Sequence, residues 1–98
     1  MRKRFNIDDN EYFLEFTMDN IERLEEMLGL PITSLIATQP TIKMLRVIVA
    51  EAIKSENGKV SKDRGIKLAE PIIREIGLTG TFEHIVECII EDCGFLFN

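Results

Sequence analysis

One stretch decides the fold: Thr41-Ile42-Lys43-Met44-Leu45-Arg46-Val47-Ile48-Val49-Ala50-Glu51-Ala52-Ile53-Lys54-Ser55. Its apolar residues recur with the spacing of an α-helix and fill roughly half of the helix circumference, with Val47 well outside that arc. A surface helix of a small domain needs only about a third of its circumference apolar. The helix therefore either runs through the middle of the core or presents part of its surface to another chain, and the sequence leaves both interpretations open.

A shorter amphipathic helix precedes this stretch. Its N-cap is Thr17 or Asp19, and Glu22 is spaced from Asp19 so that it can complete a capping box. Gly29 supplies a left-handed C-cap, and Pro31 prevents the helix from continuing. The segment that follows has room for only a short helical turn before the next proline.

A third helix is expected after the central one. Ser61 caps it, and it runs up to Gly77. Pro71 inside this helix removes one backbone hydrogen bond and crowds the carbonyl of Lys67. We therefore expect a kink near Lys67 or a break into two pieces.

The last helix is capped by Thr79 or Thr81 and ends at Gly94. The apolar run Phe95-Leu96-Phe97 follows it. Residues at a chain end usually fray unless something covers them, so this run is a candidate for contact with a partner.

The residues before the first helix predict a β-hairpin over 4–16. Asp8-Asp9-Asn10 is a turn-forming cluster between two segments whose apolar residues alternate with period two. A calcium loop would need a ligand and a glycine where Tyr12 and Phe13 stand, so a plain turn is the better interpretation.

Together these elements predict one α+β, mainly α, domain. The hairpin at 4–16 is followed by a bundle of about four helices at 18–94 and a C-terminal tail at 95–98. Helical periodicity assigns the core to Phe16, Ile21, Leu24, Leu28, Leu45, Val49, Ile72, Ile76, Ile85 and Ile89.

Charge is segregated along the chain. The net charge of −5 divides into +3 for residues 1–4, −7 for residues 5–30, +2 for residues 31–60 and −3 for residues 61–98. An acidic surface of this kind repels phosphate, so nucleic-acid binding, which could rest only on Arg2-Lys3-Arg4, is not expected.

The length of 98 residues limits the chain to a single domain. It contains no run of about 18 apolar residues, and Met1-Arg2-Lys3-Arg4 is followed by Phe5-Asn6-Ile7-Asp8-Asp9 rather than by an apolar signal stretch. We therefore expect no membrane association and a location in the cytoplasm of the cell that makes the protein.

Residues that could carry chemistry are sparse. With one histidine and no Gly-rich phosphate loop or nucleophile elbow, the chain is not expected to be an enzyme. His84, Cys88 and Asp92 share one helix ridge, but a structural zinc site needs four ligands with paired spacing. Cys88 and Cys93 point about 140° apart around a helix and cannot bridge each other. We expect no metal and no cofactor.

An acyl carrier is an alternative for a small acidic helical protein. Carriers bear pantetheine on the serine of an Asp-Ser-Leu motif, and Thr33-Ser34-Leu35-Ile36 comes close to it. The acidic residue before Ser34 is missing, and an all-helical carrier has no hairpin. Ser34 is therefore better explained as a cap or turn hydroxyl.

The run from Glu11 to Gly29 resembles the opening of the small tail assembly chaperones of long-tailed, siphovirus-type phages and gene transfer agents. In that family a strand of alternating apolar residues leads directly into a helix bearing a Leu-Glu pair and a closing glycine. The order of the later elements is also similar and covers nearly the whole chain: Ser34-Leu35-Ile36, a helix with Leu45-Arg46, a helix capped by Ser61 and a last helix ending in Gly94-Phe95.

This resemblance implies a non-enzymatic chaperone in the cytoplasm of a host bacterium. In the family, the small protein coats the tape measure protein and keeps this long apolar rod soluble until subunits of the tail tube protein replace it. Many members also exist in a longer form made by translational frameshifting. A small acidic regulatory or protein-interaction module is the alternative function.

Self-association is the last expectation. A domain of this size has too little interior to hide Met44 and Val47 on one side of the central helix and Ile42 and Ile53 on another. We expect weak homo-oligomers that form with increasing concentration. The surface for self-association or partner binding is predicted to include Met44, Val47, Ile48, Phe95, Leu96 and Phe97.

Overall fold

The computed structural model describes residues 3–98, so Met1 and Arg2 of the basic N-terminal run lie outside the described residues. The fold is α+β with the predicted N-terminal hairpin and four helices. In chain order the elements are β1 (Phe5–Ile7), β2 (Asn10–Leu14), α1 (Met18–Leu28), α2 (Ile32–Leu35), α3 (Ile42–Ala52), β3 (Ile53–Ser55), β4 (Gly58–Lys59), α4 (Lys62–Cys93) and a 3₁₀ turn (Gly94–Phe97).

The first hairpin closes through a two-residue turn. Asp8 and Asp9 have φ angles of 51° and 65°, which is the type I′ geometry that matches the twist of paired strands. Ile7 pairs with Asn10 across the turn, and the Asn10 amide donates to the Asp8 carbonyl at 3.2 Å. The predicted turn at this position is confirmed.

The sheet has four antiparallel strands in the order β1-β2-β3-β4, where the sequence predicted two. The expected helix from Thr41 to Ser55 ends at Ala52, because the next residues become β3 and pair with β2. Leu14 lies opposite Ile53 in this register. The helical assignment of Ile53 was therefore wrong: its N–H still donates to the Val49 carbonyl, but its backbone is extended, with φ −71° and ψ 135°. The preceding carbonyl, of Ala52, accepts from the Glu15 N–H at 3.0 Å instead of continuing the helix.

The ends of α1 follow the predicted local chemistry in part. Thr17 is the N-cap, and the Asn20 backbone N–H donates to its hydroxyl at 3.2 Å. The Thr17 backbone N–H donates to the Asn20 side-chain carbonyl at 3.0 Å, so this pair forms the capping box and the expected box of Asp19 with Glu22 is wrong. Gly29 is the left-handed C-cap, as predicted.

Helix α4 continues through Pro71 and departs from helical geometry at Gly77, with φ 80° and ψ 171°. The interruption therefore lies at Gly77, where the sequence predicts the end of the third helix, and not near Lys67, because glycine adopts positive φ without steric cost. Neither Thr79 nor Thr81 caps the last segment, since both are already helical. The Thr81 hydroxyl instead donates to the Gly77 carbonyl at 2.7 Å and stabilises the break.

The core lies between the sheet, α3 and α4. Of the predicted core residues, Leu28 and Ile76 are half-buried and pack against the core, and the rest are buried. Helices α3 and α4 approach closely at Gly65, where a Cβ atom would lie 2.8 Å from the Ala50 Cα. The central helix packs into the core through Leu45, Ile48, Val49 and Ala52. Ile42 is 54% exposed and Val47 is half-buried, so contact of this helix with another chain stays a prediction.

Candidate functional site

An apolar surface lies where α1, α3 and α4 meet. Met27, Val47, Ala50 and Ile66 line a hollow of about 100 Å³ there. Met27 is 49% exposed and Ile66 is 41% exposed, although both side chains are large and hydrophobic. We call these four residues the apolar face.

A basic groove adjoins the apolar face. It encloses about 420 Å³ and shares Ala50, Glu51 and Lys62 with the hollow, so the two form one continuous surface. We call the cationic side chains that line it the basic rim: Arg23, Lys54, Lys59 and Lys62.

The Glu51 carboxylate lies at the buried base of this groove. Its side chain is 4% exposed, and its Oε1 accepts from Arg23 Nε at 2.6 Å and from Asn20 Nδ2 at 2.9 Å. Burial acts to raise the pKa of Glu51, but the two hydrogen bonds and the charge of Arg23 outweigh it and lower the pKa below its ordinary value. Glu51 therefore holds Arg23 in place and leaves the rim cationic overall.

A second surface lies on the other side of α1. Met18, Ile21, Ile32 and Leu96 form the apolar floor of a cleft of about 230 Å³. We call this the acidic cleft, because its remaining lining residues are Asp19, Glu22 and Glu25. The Ile32 backbone N–H donates to Glu25 Oε2 at 2.7 Å, which fixes α2 against α1 and shapes the cleft.

The residues predicted to form a partner surface are divided between these places. Val47 lies in the apolar face and Leu96 in the acidic cleft. Phe95 is 58% exposed, whereas Ile48 is fully buried and belongs to the core rather than to a surface. The remaining two, Met44 and Phe97, are half-buried and pack against the core.

Met27 and Ile66 are the surface residues that the sequence reasoning missed. Helical spacing groups Ile66 with the other apolar residues of its helix, and Met27 is a single apolar residue on the flank of α1, so the sequence carries no signal that either is exposed. Their neighbour Lys62 also escaped notice, because a lysine in a first helical turn has no signature of its own.

The residues considered for metal binding do not converge. His84 Nε2 lies 3.5 Å from Cys88 Sγ, and the Phe5 ring packs edge-on against His84 at 5.1 Å. Asp92 turns instead to the backbone N–H of Phe16, which donates to it at 2.9 Å. Within residues 3–98, no group of three or more metal-binding side chains is placed to hold an ion.

The cysteines and Ser34 have ordinary environments. Both cysteines are buried, and burial together with the nearby Asp92 charge raises the pKa of Cys93, which disfavours a reactive thiolate. Ser34 is an exposed residue of α2.

Comparison with known proteins finds no matching family model, no matching curated protein and no matching solved structure. Over the part of the chain that the structure describes, no helix has the length and apolar character needed to cross a bilayer.

Proposed function

We propose that this protein is a non-enzymatic tail assembly chaperone of a long-tailed phage, which binds and solubilises the tape measure protein during tail morphogenesis. It acts in the cytoplasm of the host bacterium and releases its client to the tail tube protein. The observation that carries the proposal is the apolar face, where Met27, Val47 and Ile66 remain accessible beside a charged rim.

The chemistry of this surface suits an apolar helical client. A small hollow between three helices accepts the anchor side chains of an amphipathic helix, as in other helix-in-groove complexes. The surrounding charges supply solubility to a coated particle. The resemblance in element order to the tail chaperones gives independent support, because it does not use the surface at all.

The function is tested by co-expressing the chain with the tape measure protein of a long-tailed phage. We expect the wild-type chain to keep this client in the soluble fraction and to co-purify with it. Ile66→Glu should abolish both effects, since it places a carboxylate in the apolar face.

Ile90→Glu is the matched control, because Ile90 is an exposed isoleucine of the same helix, 52% accessible, that lines neither surface. If both variants reduce the solubility and co-purification of the client equally, the apolar face has no special role in client binding. A client that is equally soluble without the chain would contradict the chaperone function itself.

A further inference from the structure

The basic rim carries more positive charge than the fold neutralises. Glu51, the carboxylate that lines the groove, is already paired with Arg23 at 2.6 Å. Within residues 3–98, no carboxylate forms an ion pair with Lys54, Lys59 or Lys62. The groove therefore keeps a net positive charge on a chain whose overall net charge is −5.

The positions of these lysines do not stabilise the free chain. Lys54 lies directly opposite Lys59 in the pairing of β3 with β4, and like charges in such cross-strand pairs repel each other. Lys62 is the first residue of α4, where the positive end of the helix dipole disfavours a cation. Folding alone does not account for this arrangement, whereas an anionic partner bound between the lysines would remove their repulsion.

The apolar face beside the groove limits what this partner can be. The hollow encloses about 100 Å³, whereas small-molecule sites enclose about 300–1,000 Å³, so a side chain fits it better than a metabolite does. Met27, Val47 and Ile66 also provide no aromatic ring on which a nucleic-acid base could stack. A partner that fills both recesses is therefore a protein segment with apolar and acidic side chains next to each other.

The nearby sheet edge indicates the conformation of that segment. β4 (Gly58–Lys59) is the outer strand of the sheet and has only two residues. A short edge strand that carries a lysine resists pairing with another strand. The segment therefore docks through its side chains, and a helix, whose backbone hydrogen bonds are internal, meets this requirement.

We infer that the groove and the apolar face together bind an amphipathic helix whose apolar stripe is flanked on one side by Asp and Glu residues. Apolar side chains of successive turns pack against the apolar face, and the flanking carboxylates pair with lysines of the basic rim. The inference rests on the proposed function for the source of this helix, which is a segment of the tape measure protein. It adds the sequence pattern by which that segment is recognised.

Synthetic peptides test this pattern on the purified full chain. The probe is a fluorescent peptide of about 20 residues, long enough to form a helix, with a leucine stripe flanked on one side by glutamates. A second peptide replaces the glutamates by lysines, and a third keeps the composition of the first in scrambled order. Fluorescence anisotropy should show that the glutamate peptide binds at least about tenfold more tightly than either of the others, and that added salt weakens its binding.

Charge reversal in the basic rim should weaken binding without weakening the fold. Lys59→Glu places a carboxylate opposite Lys54, and Lys62→Glu places one at the start of α4, so both substitutions relieve the repulsion. Each should raise the dissociation constant of the glutamate peptide by at least about tenfold, while the melting temperature stays equal or rises. The same variants should bind the lysine peptide more tightly than the wild-type chain does.

Lys67→Glu is the matched control, because Lys67 is an exposed lysine of α4 that lines neither the hollow nor the groove. It changes the net charge of the chain by the same amount and should leave the binding of all three peptides unaltered. Equal weakening by Lys67→Glu and Lys62→Glu would overturn the inference, since only the overall charge would then matter.

Three further outcomes would also overturn the inference. Equal affinity for the glutamate and lysine peptides would mean that the basic rim does not select the charge of the partner. Failure of the glutamate peptide to bind would have the same force, whether or not a second copy of the chain covers the surface. Tighter binding of a single-stranded oligonucleotide that Lys59→Glu abolishes would make the groove a nucleic-acid site.

The failure of this inference and the failure of the proposed function are distinguishable. If Ile66→Glu releases the client but Lys59→Glu and Lys62→Glu do not, the chaperone function stands and the acidic pattern is wrong. If the glutamate peptide binds as expected but the tape measure protein is equally soluble without the chain, the surface recognises acidic helices and the proposed function is wrong.

Discussion

The contacts of Phe16 with α4, which we call the anchor, and the apolar face differ in how far their groups are satisfied within the fold. At the anchor, the Phe16 backbone N–H donates to Asp92 and its carbonyl accepts from the Cys93 thiol, at 2.9 and 3.6 Å, while the phenyl ring is buried. At the apolar face, Met27 and Ile66 are left 49% and 41% exposed. The anchor thus stabilises the fold through hydrogen bonds within the chain, whereas the apolar face leaves apolar side-chain surface exposed to solvent.

This difference indicates that one set of residues stabilises the fold and another set is available for binding a partner. Within residues 3–98, no buried side-chain nitrogen or oxygen lacks a hydrogen-bond partner. The buried polar groups are thus hydrogen-bonded within the fold and do not depend on the exposed apolar side chains. Substitutions in the two regions should therefore affect different measurements.

The largest change in the free energy of unfolding is expected for substitutions in the core. Leu45→Ala and Ile89→Ala each remove a fully buried side chain and should reduce the free energy of unfolding by about 2–5 kcal/mol. Chemical denaturation measures this loss. Ile42→Ala is the control, since Ile42 is 54% exposed in α3, and should change the free energy by less than about 0.5 kcal/mol. Unfolding curves unaltered by either core variant would refute the core assignment.

The next effect tests the anchor. Asp92→Ala removes the acceptor of the Phe16 backbone N–H and should cost about 1.5–3 kcal/mol, because hydrogen bonds to charged groups exceed neutral ones. Amide exchange at Phe16 should also accelerate relative to the residues of β2. Glu91→Ala, an exposed neighbour on the same helix turn, should leave both quantities unchanged. If the two variants behave alike, the anchor does not join α4 to the sheet.

Much of the fold could be predicted because its signals are local. The Asp8-Asp9 turn, the Thr17 and Ser61 caps and the Gly29 terminus each depend on a few adjacent residues. Strand β3 could not be found in this way. Its pairing partner β2 is distant in sequence, and only that pairing turns Ile53 away from the helix.

The candidate site was predicted in outline only. Val47 stood out because it lies outside the apolar arc of the central helix. Met27 and Ile66 carry no comparable signal, because their exposure depends on which flanks of α1 and α4 pack against α3. The capping box also shows a limit of local spacing. Glu22 is spaced for a box with Asp19, but the helix begins after Thr17, so Asn20 is the third helical residue and forms the bonds.

A smaller effect on stability, that of the Glu51 carboxylate, depends on pH. The pKa of Glu51 is lowered in the folded state, so its contribution to stability is present above the ordinary carboxyl pKa of 4.5 and is lost as the pH falls through the folded value. Glu51→Gln should be less stable than wild type at pH 7, and the gap in melting temperature should narrow below a pH of about 4.5. Glu26→Gln, on the exposed face of α1, should show no such gap. A gap that stays constant between pH 7 and pH 3 would mean that the charge of Glu51 does not stabilise the fold.

The smallest effect on stability, and the sharpest separation of the two regions, is expected at the apolar face. Met27→Gln replaces an exposed side chain by one of similar helix propensity, so the free energy of unfolding should change by less than about 0.5 kcal/mol. Self-association should nevertheless weaken, because an exposed apolar side chain of the apolar face becomes polar. Measuring denaturation and sedimentation on the same preparation distinguishes the two effects. A variant that loses stability and association together would place Met27 in the core, and one that loses neither would remove it from the interface.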